Sequence, residues 1–219
     1  MKNIILIAPP AAGKGTQSKL LCDKYNLEHI STGDLLRATL TKDDEFSLKV
    51  KSIMESGKLV SDDIVLELLS NKIKSLTDSN GFILDGFPRN VNQAKSYVEL
   101  ANKLNISIGN IIYIDVDKET VKNRITGRLS CKNCGAVYND KILELNPKFK
   151  NTCDLCNGEL TKRADDNETT FEVRYNEYVN ETYPVIKFFE SNGLLSRVDG
   201  LKSTKEVFLE IVKIIDRGN

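Results

Sequence analysis

Four of the five cysteines in this 219-residue chain form two C-x-x-C knuckles, Cys131-Lys-Asn-Cys134 and Cys153-Asp-Leu-Cys156, with eighteen residues between them. That spacing is typical of a tetrahedral four-thiolate metal site, and it draws two remote turns together whatever the rest of the chain does. Paired disulfides are the competing use of the same residues. Met1-Lys2-Asn3 leads straight into a strand-like run with no secretory apolar stretch, so a reducing, cytoplasmic setting is expected and a metal is favoured. Four cysteines leave no open coordination position, which makes the metal, zinc or iron, structural. Gly135 and Gly158 follow the knuckles, where tight turns let backbone N–H groups face the sulfurs. The segment from about Ile125 to Asp165 then reads as a small stapled lobe, too short to hold itself by apolar burial alone. Its lysines (132, 141, 148, 150, 162) nearly balance its acids (140, 144, 154, 159), which argues against a ribbon that grips nucleic acid. Cys22, in a helical stretch beside Leu20 and Leu21, reads as a small buried hydrophobe.

Outside the lobe, short apolar runs occur at Asn3 to Ala8, Glu28 to Ser31, Phe82 to Asp85, Ile111 to Val116 and Leu194 to Val198, with helical patterns between them. Runs without polar alternation are what strands buried on both faces look like, and their alternation with helices predicts a parallel α/β sheet. Helix starts are marked by Ser61 with Asp62 and Asp63, by Asp117, and by the capping box Ser203-Thr-Lys-Glu206. Pro184 is expected to kink or end the helix that runs from about Glu168. Lys plus Arg and Asp plus Glu both number 31, so the chain has no net field for non-specific nucleic-acid or membrane binding, and no apolar run approaches the roughly 20 residues of a bilayer span. The single histidine, His29, is read as structural; if the chain is an enzyme, its chemistry is expected not to need an imidazole base.

Directly after the first strand comes Ala8-Pro-Pro-Ala-Ala-Gly13-Lys14-Gly15-Thr16-Gln17, opening a helix. Strand, loop and helix in that order are the context that turns a G-x-x-x-x-G-K pattern into a phosphate cradle, with amide groups and a helix N-terminus converging on an anion to which Lys14 adds a charge. Ala8 stands at the first glycine and Gly15 where Ser or Thr usually follows the lysine, and an ordinary strand-to-helix turn is the competing reading. Further along stand Ser31-Thr32-Gly33-Asp34-Leu35-Leu36-Arg37, Asp85-Gly86-Phe87-Pro88-Arg89 with Gln93, Arg124-Ile-Thr-Gly-Arg128, then Arg163-Ala-Asp165-Asp166 and Arg174. Together these motifs closely resemble the adenylate kinases, specifically the longer type whose lid carries four zinc-binding cysteines. Ala8 and Ala11 depart from the family's usual glycines, and a left-handed Ala11 would cost about 1–2 kcal/mol.

The resemblance implies a P-loop NTPase fold: a five-stranded parallel sheet flanked by helices, with a core of residues 1–30, 61–124 and 166–219. Residues 31–60 would bind the nucleoside monophosphate, and residues 125–165 would form the zinc lid. It implies phosphoryl transfer from MgATP to AMP giving two ADP, with water excluded by lid closure, and a monomer serving adenine nucleotide homeostasis. By resemblance Gly13, Lys14, Gly15 and Thr16 hold the donor phosphates, with Arg128, and Arg124 lies against the ATP base. Arg37, Arg89, Arg163 and Arg174 serve AMP and the group in flight, and Thr32 and Gln93 contact the AMP base. Asp85, at the C-terminal edge of the sheet, is read as orienting water around magnesium, and Asp165 and Asp166 by resemblance help the closed lid dock. Cys131, Cys134, Cys153 and Cys156 are the zinc ligands.

The arginines carry a separate argument. There are eight against 23 lysines, and six of them (37, 89, 124, 128, 163, 174) fall in the motifs above. A chain that otherwise uses lysine has placed a planar two-pronged donor where phosphate is to be gripped. Arg124 and Arg128, four apart, are expected to share a helix face; Arg197 and Arg217 are assigned to the surface. A regulatory GTPase is disfavoured because Asn102-Lys-Leu-Asn105 lacks the acid of a guanine-reading motif. A non-catalytic nucleotide-binding adaptor and a UMP/CMP or GMP acceptor remain as rivals.

Overall fold

A computed structural model describes residues 2–40, 45–55, 60–76, 80–163 and 166–217. The elements of the first half are β1 (Ile4–Ile7), α1 (Lys14–Tyr25), β2 (Glu28–Ser31), α2 (Thr32–Thr39), α3 (Glu45–Glu55), α4 (Asp62–Lys74), β3 (Phe82–Asp85) and α5 (Val91–Lys103). They continue with β4 (Asn110–Asp115), α6 (Lys118–Thr126), β5 (Arg128–Cys131), β6 (Val137–Asn139), β7 (Leu160–Thr161), α7 (Glu168–Glu177), α8 (Tyr183–Ser191), β8 (Leu195–Asp199) and α9 (Thr204–Arg217).

The five apolar runs form one parallel sheet in the order β2-β3-β1-β4-β8. Side chains alternate across it. Ile5 and Ile7 of β1 pack with Phe82, Leu84, Ile111 and Tyr113 under α4, α5 and α8, while Ile4 and Leu6 pack with Ile83, Ile112 and Ile114 under α1, α6 and α9. Both faces are covered, which is why these strands read as unbroken apolar runs. Cys22 is partly buried against the second cluster, and burial pushes its thiol up to about 11.

Helix starts follow the sequence. The Asp117 carboxylate accepts from Thr120 N–H, and Ser203 and Glu206 exchange the two bonds of a capping box. Ser61 caps α4 without a side-chain bond. At Pro184 the chain does not stop. It widens into a π turn over Tyr178–Thr182, where Tyr183 N–H donates to the carbonyl of Tyr178, and Pro184 then sits in the first turn of α8. Proline has no N–H to give to an α ladder and its ring crowds the carbonyl four residues back, and the wider turn accommodates both.

One expectation fails. Arg124 and Arg128 do not share a helix face: α6 ends at Thr126 with Gly127 as its cap, and Arg128 opens β5. Gly127 caps the helix in a right-handed conformation, and its missing Cβ leaves room for Asn139 of β6, whose Nδ2 donates to the carbonyl of Arg124 at 2.8 Å where the helical ladder stops. From there β5 pairs antiparallel with β6 and β7. The lobe they build has a core of only Leu129, Cys131, Cys153 and Leu160, with Ala136 and Tyr138 packed beside it. Such a core is too small to hold a lobe without a staple.

Candidate active site

The loop after β1 hugs the sheet through buried Ala8 and Ala12. It turns through Ala11 at φ 61° and Gly13 at φ 94°, and Gly13 caps α1 with no side-chain bond and no acid in the first turn. The first amides of α1 therefore lack the side-chain acceptor that usually satisfies them, and a helix N-terminus in that state favours an anion. Lys14 curls back, its Nζ donating to the carbonyl of Ala8 at 3.0 Å and more weakly to Pro9 at 3.5 Å. Burial lowers its pKa, against the pull of Asp85. Gly15 and Thr16, in the first turn, are exposed. Arg124 lies beside this loop, donating to the carbonyls of Gly200 at 3.0 Å and Ala12 at 3.5 Å.

Parallel pairing brings the second half of the site to the same edge, with Asp85 in register with both Leu6 and Ser31. Gly86 follows at φ 77°, and its carbonyl accepts from Thr32 Oγ1 at 2.9 Å and Arg89 Nε at 2.7 Å. The left-handed backbone favours glycine here, and a Cβ would press on Arg89 Nη2 at 3.0 Å and Thr32 Oγ1 at 3.2 Å. Gln93 is buried and fully committed. Its Oε1 accepts from Arg89 N–H, its Nε2 donates to Asp62, and its own N–H is capped by Asn90. Asp62 also accepts from Asn90 Nδ2, so one carboxylate on α4 orients the start of α5. His29, read from sequence as structural, reaches this edge with Nε2 3.4 Å from Asp85 Oδ2. Burial works to raise the Asp85 carboxyl, but His29, Lys14 and Arg89 together outweigh it and hold it below the usual range. The same contact raises His29.

Between the two halves lies a cleft of about 360 Å³ lined by Lys14, Arg37, Asp85, Arg89, Arg128, Arg163 and Arg174. Five guanidinium groups from five separate stretches of chain meet there. Among the described residues Glu177 is the only other acid in the wall, alongside Tyr178 and Thr182, whose Oγ1 donates to the carbonyl of Arg89 at 2.9 Å. Arg128 makes a two-pronged pair with buried Asp166, at 2.7 and 2.5 Å. Arg37 pairs with Asp34. Arg124, Thr32 and Gln93 stand outside the cleft wall, and Asp165 lies outside the described residues. Arg197 is at the surface as expected, paired with Asp115 and Glu190, and Arg217 is exposed. His29, Asp62, Glu177, Tyr178 and Thr182 were not singled out in the sequence for this site.

Residues 6–194 match the family model described as adenylate kinase. The chain belongs to the adenylate kinase family. It is 42% identical over 215 residues to an adenylate kinase of Archaeoglobus fulgidus, covering 98% of each chain. It is 40% identical over 215 residues to one of Thermosipho africanus, covering 98% of this chain and all of that one. A Bacillus licheniformis adenylate kinase is 40% identical over 214 residues, with 97% of each chain covered. As an adenylate kinase family member with this doubly wound parallel sheet, the chain has the P-loop NTPase fold and is a phosphotransferase acting on nucleoside monophosphates. Among the described residues no helix is long and apolar enough to cross a membrane.

The four cysteines meet the geometric demand of a metal. Their sulfurs lie within 4.8 Å of one another, with Cys131 and Cys156 at 3.4 Å and Cys134 and Cys153 at 3.6 Å. A tetrahedral ion with metal–sulfur bonds of about 2.3 Å would space them about 3.8 Å apart. Backbone N–H groups of Cys134 and Asn133 hold Cys131 below the ordinary thiol range. Burial would raise Cys153, yet the Tyr138 hydroxyl and the N–H groups of Leu155 and Cys156 bring it to about 6. Cys156 has the Gly158 N–H to lower it, but the neighbouring sulfurs push it up to about 12. A divalent cation at their centre would ionise all four.

Proposed function

We propose that the chain transfers the γ-phosphoryl group of MgATP reversibly to AMP, giving two ADP, and so balances the adenine nucleotides. The observation that carries this reading is the convergence of Lys14 and five arginines on one cleft at the C-terminal edge of the sheet. The nucleophile is an AMP phosphate oxygen, already anionic, so no general base is needed, in keeping with a chain that has one histidine. Catalysis then rests on positioning and on neutralising charge. Lys14 and the amides of Gly13, Gly15 and Thr16 hold the donor phosphates. Arg37 and Arg89 grip the AMP phosphate, and Arg128, Arg163 and Arg174 surround the group in flight. Arg124 rests against the ATP base, and Thr32 and Gln93 border the AMP base. A magnesium ion accompanying ATP would supply further charge neutralisation, and Asp85 would orient its water.

In the same reading residues 1–30, 61–124 and 166–219 are the core, residues 31–60 receive AMP, and residues 125–165 are a lid stapled by zinc through Cys131, Cys134, Cys153 and Cys156. Lid closure excludes water, which would otherwise take the phosphoryl group. The protein works as a cytoplasmic monomer. The test is ADP formation from ATP plus AMP, followed by competition with UMP, CMP and GMP. Turnover with AMP that exceeds the other acceptors is expected. Nucleotide binding without ADP formation would leave a non-catalytic adaptor instead.

A further inference from the structure

A side chain that is not a cysteine reaches the second cysteine knuckle from the strand beside the first. Tyr138 lies in β6, four residues beyond the first knuckle, and its Oη stands 3.6 Å from Cys153 Sγ in the second. The N–H of Asp154 donates to the same oxygen at 2.8 Å. An amide N–H can only donate, so the phenol oxygen is the acceptor in that bond. A metal-bound thiolate carries no proton, which leaves the phenol O–H as the donor to sulfur. The anchor at the other end is firm: Tyr138 pairs with Leu129 of β5, the strand that runs into Cys131. A chain of contacts therefore leads from the strand scaffold of the first knuckle, through one hydroxyl, to a sulfur and an amide of the second.

The ring has a separate duty. It packs against the four-residue core of the lobe, a role phenylalanine would fill equally. The hydroxyl is what packing does not explain. We propose that Tyr138 is a positioning residue of the four-cysteine centre, its O–H donating to Cys153 Sγ so that this thiolate is fixed toward the cage and gives up some electron density. This rests on the reading of a metal among the four cysteines. Groups that hydrogen-bond to metal ligands orient them and tune the bond, and their loss typically weakens metal affinity about 10- to 100-fold.

The experiment uses the full chain loaded with cobalt(II) in place of zinc, as the wild type, as Tyr138→Phe, and with 3-fluorotyrosine at position 138. Two quantities are read: the sulfur-to-cobalt charge-transfer band, and the rate at which excess chelator removes the metal. Losing the hydroxyl is expected to move the band to longer wavelength and to speed release about 10-fold or more. The fluorinated ring, a stronger donor at a pH below its own ionisation, is expected to move the band the other way. A purely structural tyrosine would change the melting temperature but not the band. Coincident bands in all three proteins would overturn the inference. If Tyr138→Phe does not fold, the fluorinated protein alone decides through its band. Failure of the wild type to take up cobalt would sink the metal reading itself, a separate result.

Discussion

Asp166→Asn tests how strongly the lobe is tied to the body of the enzyme. Asp166 is fully buried and holds Arg128, which keeps 19% of its side chain exposed, through two short contacts. Removing one partner from a buried pair costs about 3–5 kcal/mol because a charge is left uncompensated. Water still reaches part of Arg128, and asparagine keeps the volume and one acceptor, so about 2–3 kcal/mol is the expected loss here. In a protein of this size each kcal/mol moves the melting temperature by about 2–4 °C, which predicts a fall of roughly 4–12 °C. Calorimetry on the metal-loaded protein measures it, and a double-mutant cycle with Arg128→Met isolates the pair, with a coupling of about 2 kcal/mol expected. A melting temperature within about 2 °C of the wild type, together with coupling under about 0.5 kcal/mol, would refute the reasoning.

Three other outcomes follow from the same site. Ala11→Gly relieves a left-handed alanine worth about 1–2 kcal/mol and loosens the unfolded chain by about 0.4–1, so stability is unchanged or rises by up to about 1.6 kcal/mol. Its affinity for ATP is unchanged or tighter by calorimetric titration, and a clear loss contradicts the strain argument. Because Asp85 raises the pKa of His29, that contact contributes stability fully below pH 6.5 and loses it as pH climbs through the raised value. The only imidazole in the chain should titrate above 6.5 by NMR and fall back in Asp85→Asn; a midpoint at or below 6.5 removes the contact from solution. Chelating the metal should lower the melting temperature while turnover persists well below it, and inactivity of a folded, metal-free protein would assign the ion to the chemistry.

The sheet was readable in the sequence because burial on both faces leaves no polar residue in Ile4–Ile7 or Ile111–Ile114. The cleft was readable because arginine is scarce in this chain, so its positions carry information. The fit of the four thiols was readable from spacing alone, whereas a left-handed Ala11 was only a condition raised by the family's usual glycine there, and its φ of 61° meets that condition. What escaped depends on strand neighbours. His29 meets Asp85 only because β2 lies beside β3 with His29 in register with Ile83, putting residues 29 and 85 on one face, and no local pattern encodes that adjacency. Asp62, read as a helix-start acid, is bound across space by Asn90 and Gln93, twenty-eight and thirty-one residues away. The break between Arg124 and Arg128 has a local sign, Gly127, a residue common where helices stop.

The crowd of guanidinium groups also couples folding to the metabolic state around the protein. Arg89, desolvated by burial, is further disfavoured in its charged form by Arg174 and Arg37, and an anion seated between these groups relieves that cost. A polyphosphate at a hundred times its dissociation constant adds about 2.7 kcal/mol to the native state. The enzyme in a well-fed cell is therefore sturdier than the same polypeptide stripped of nucleotide, and starvation would expose its least durable form to proteases.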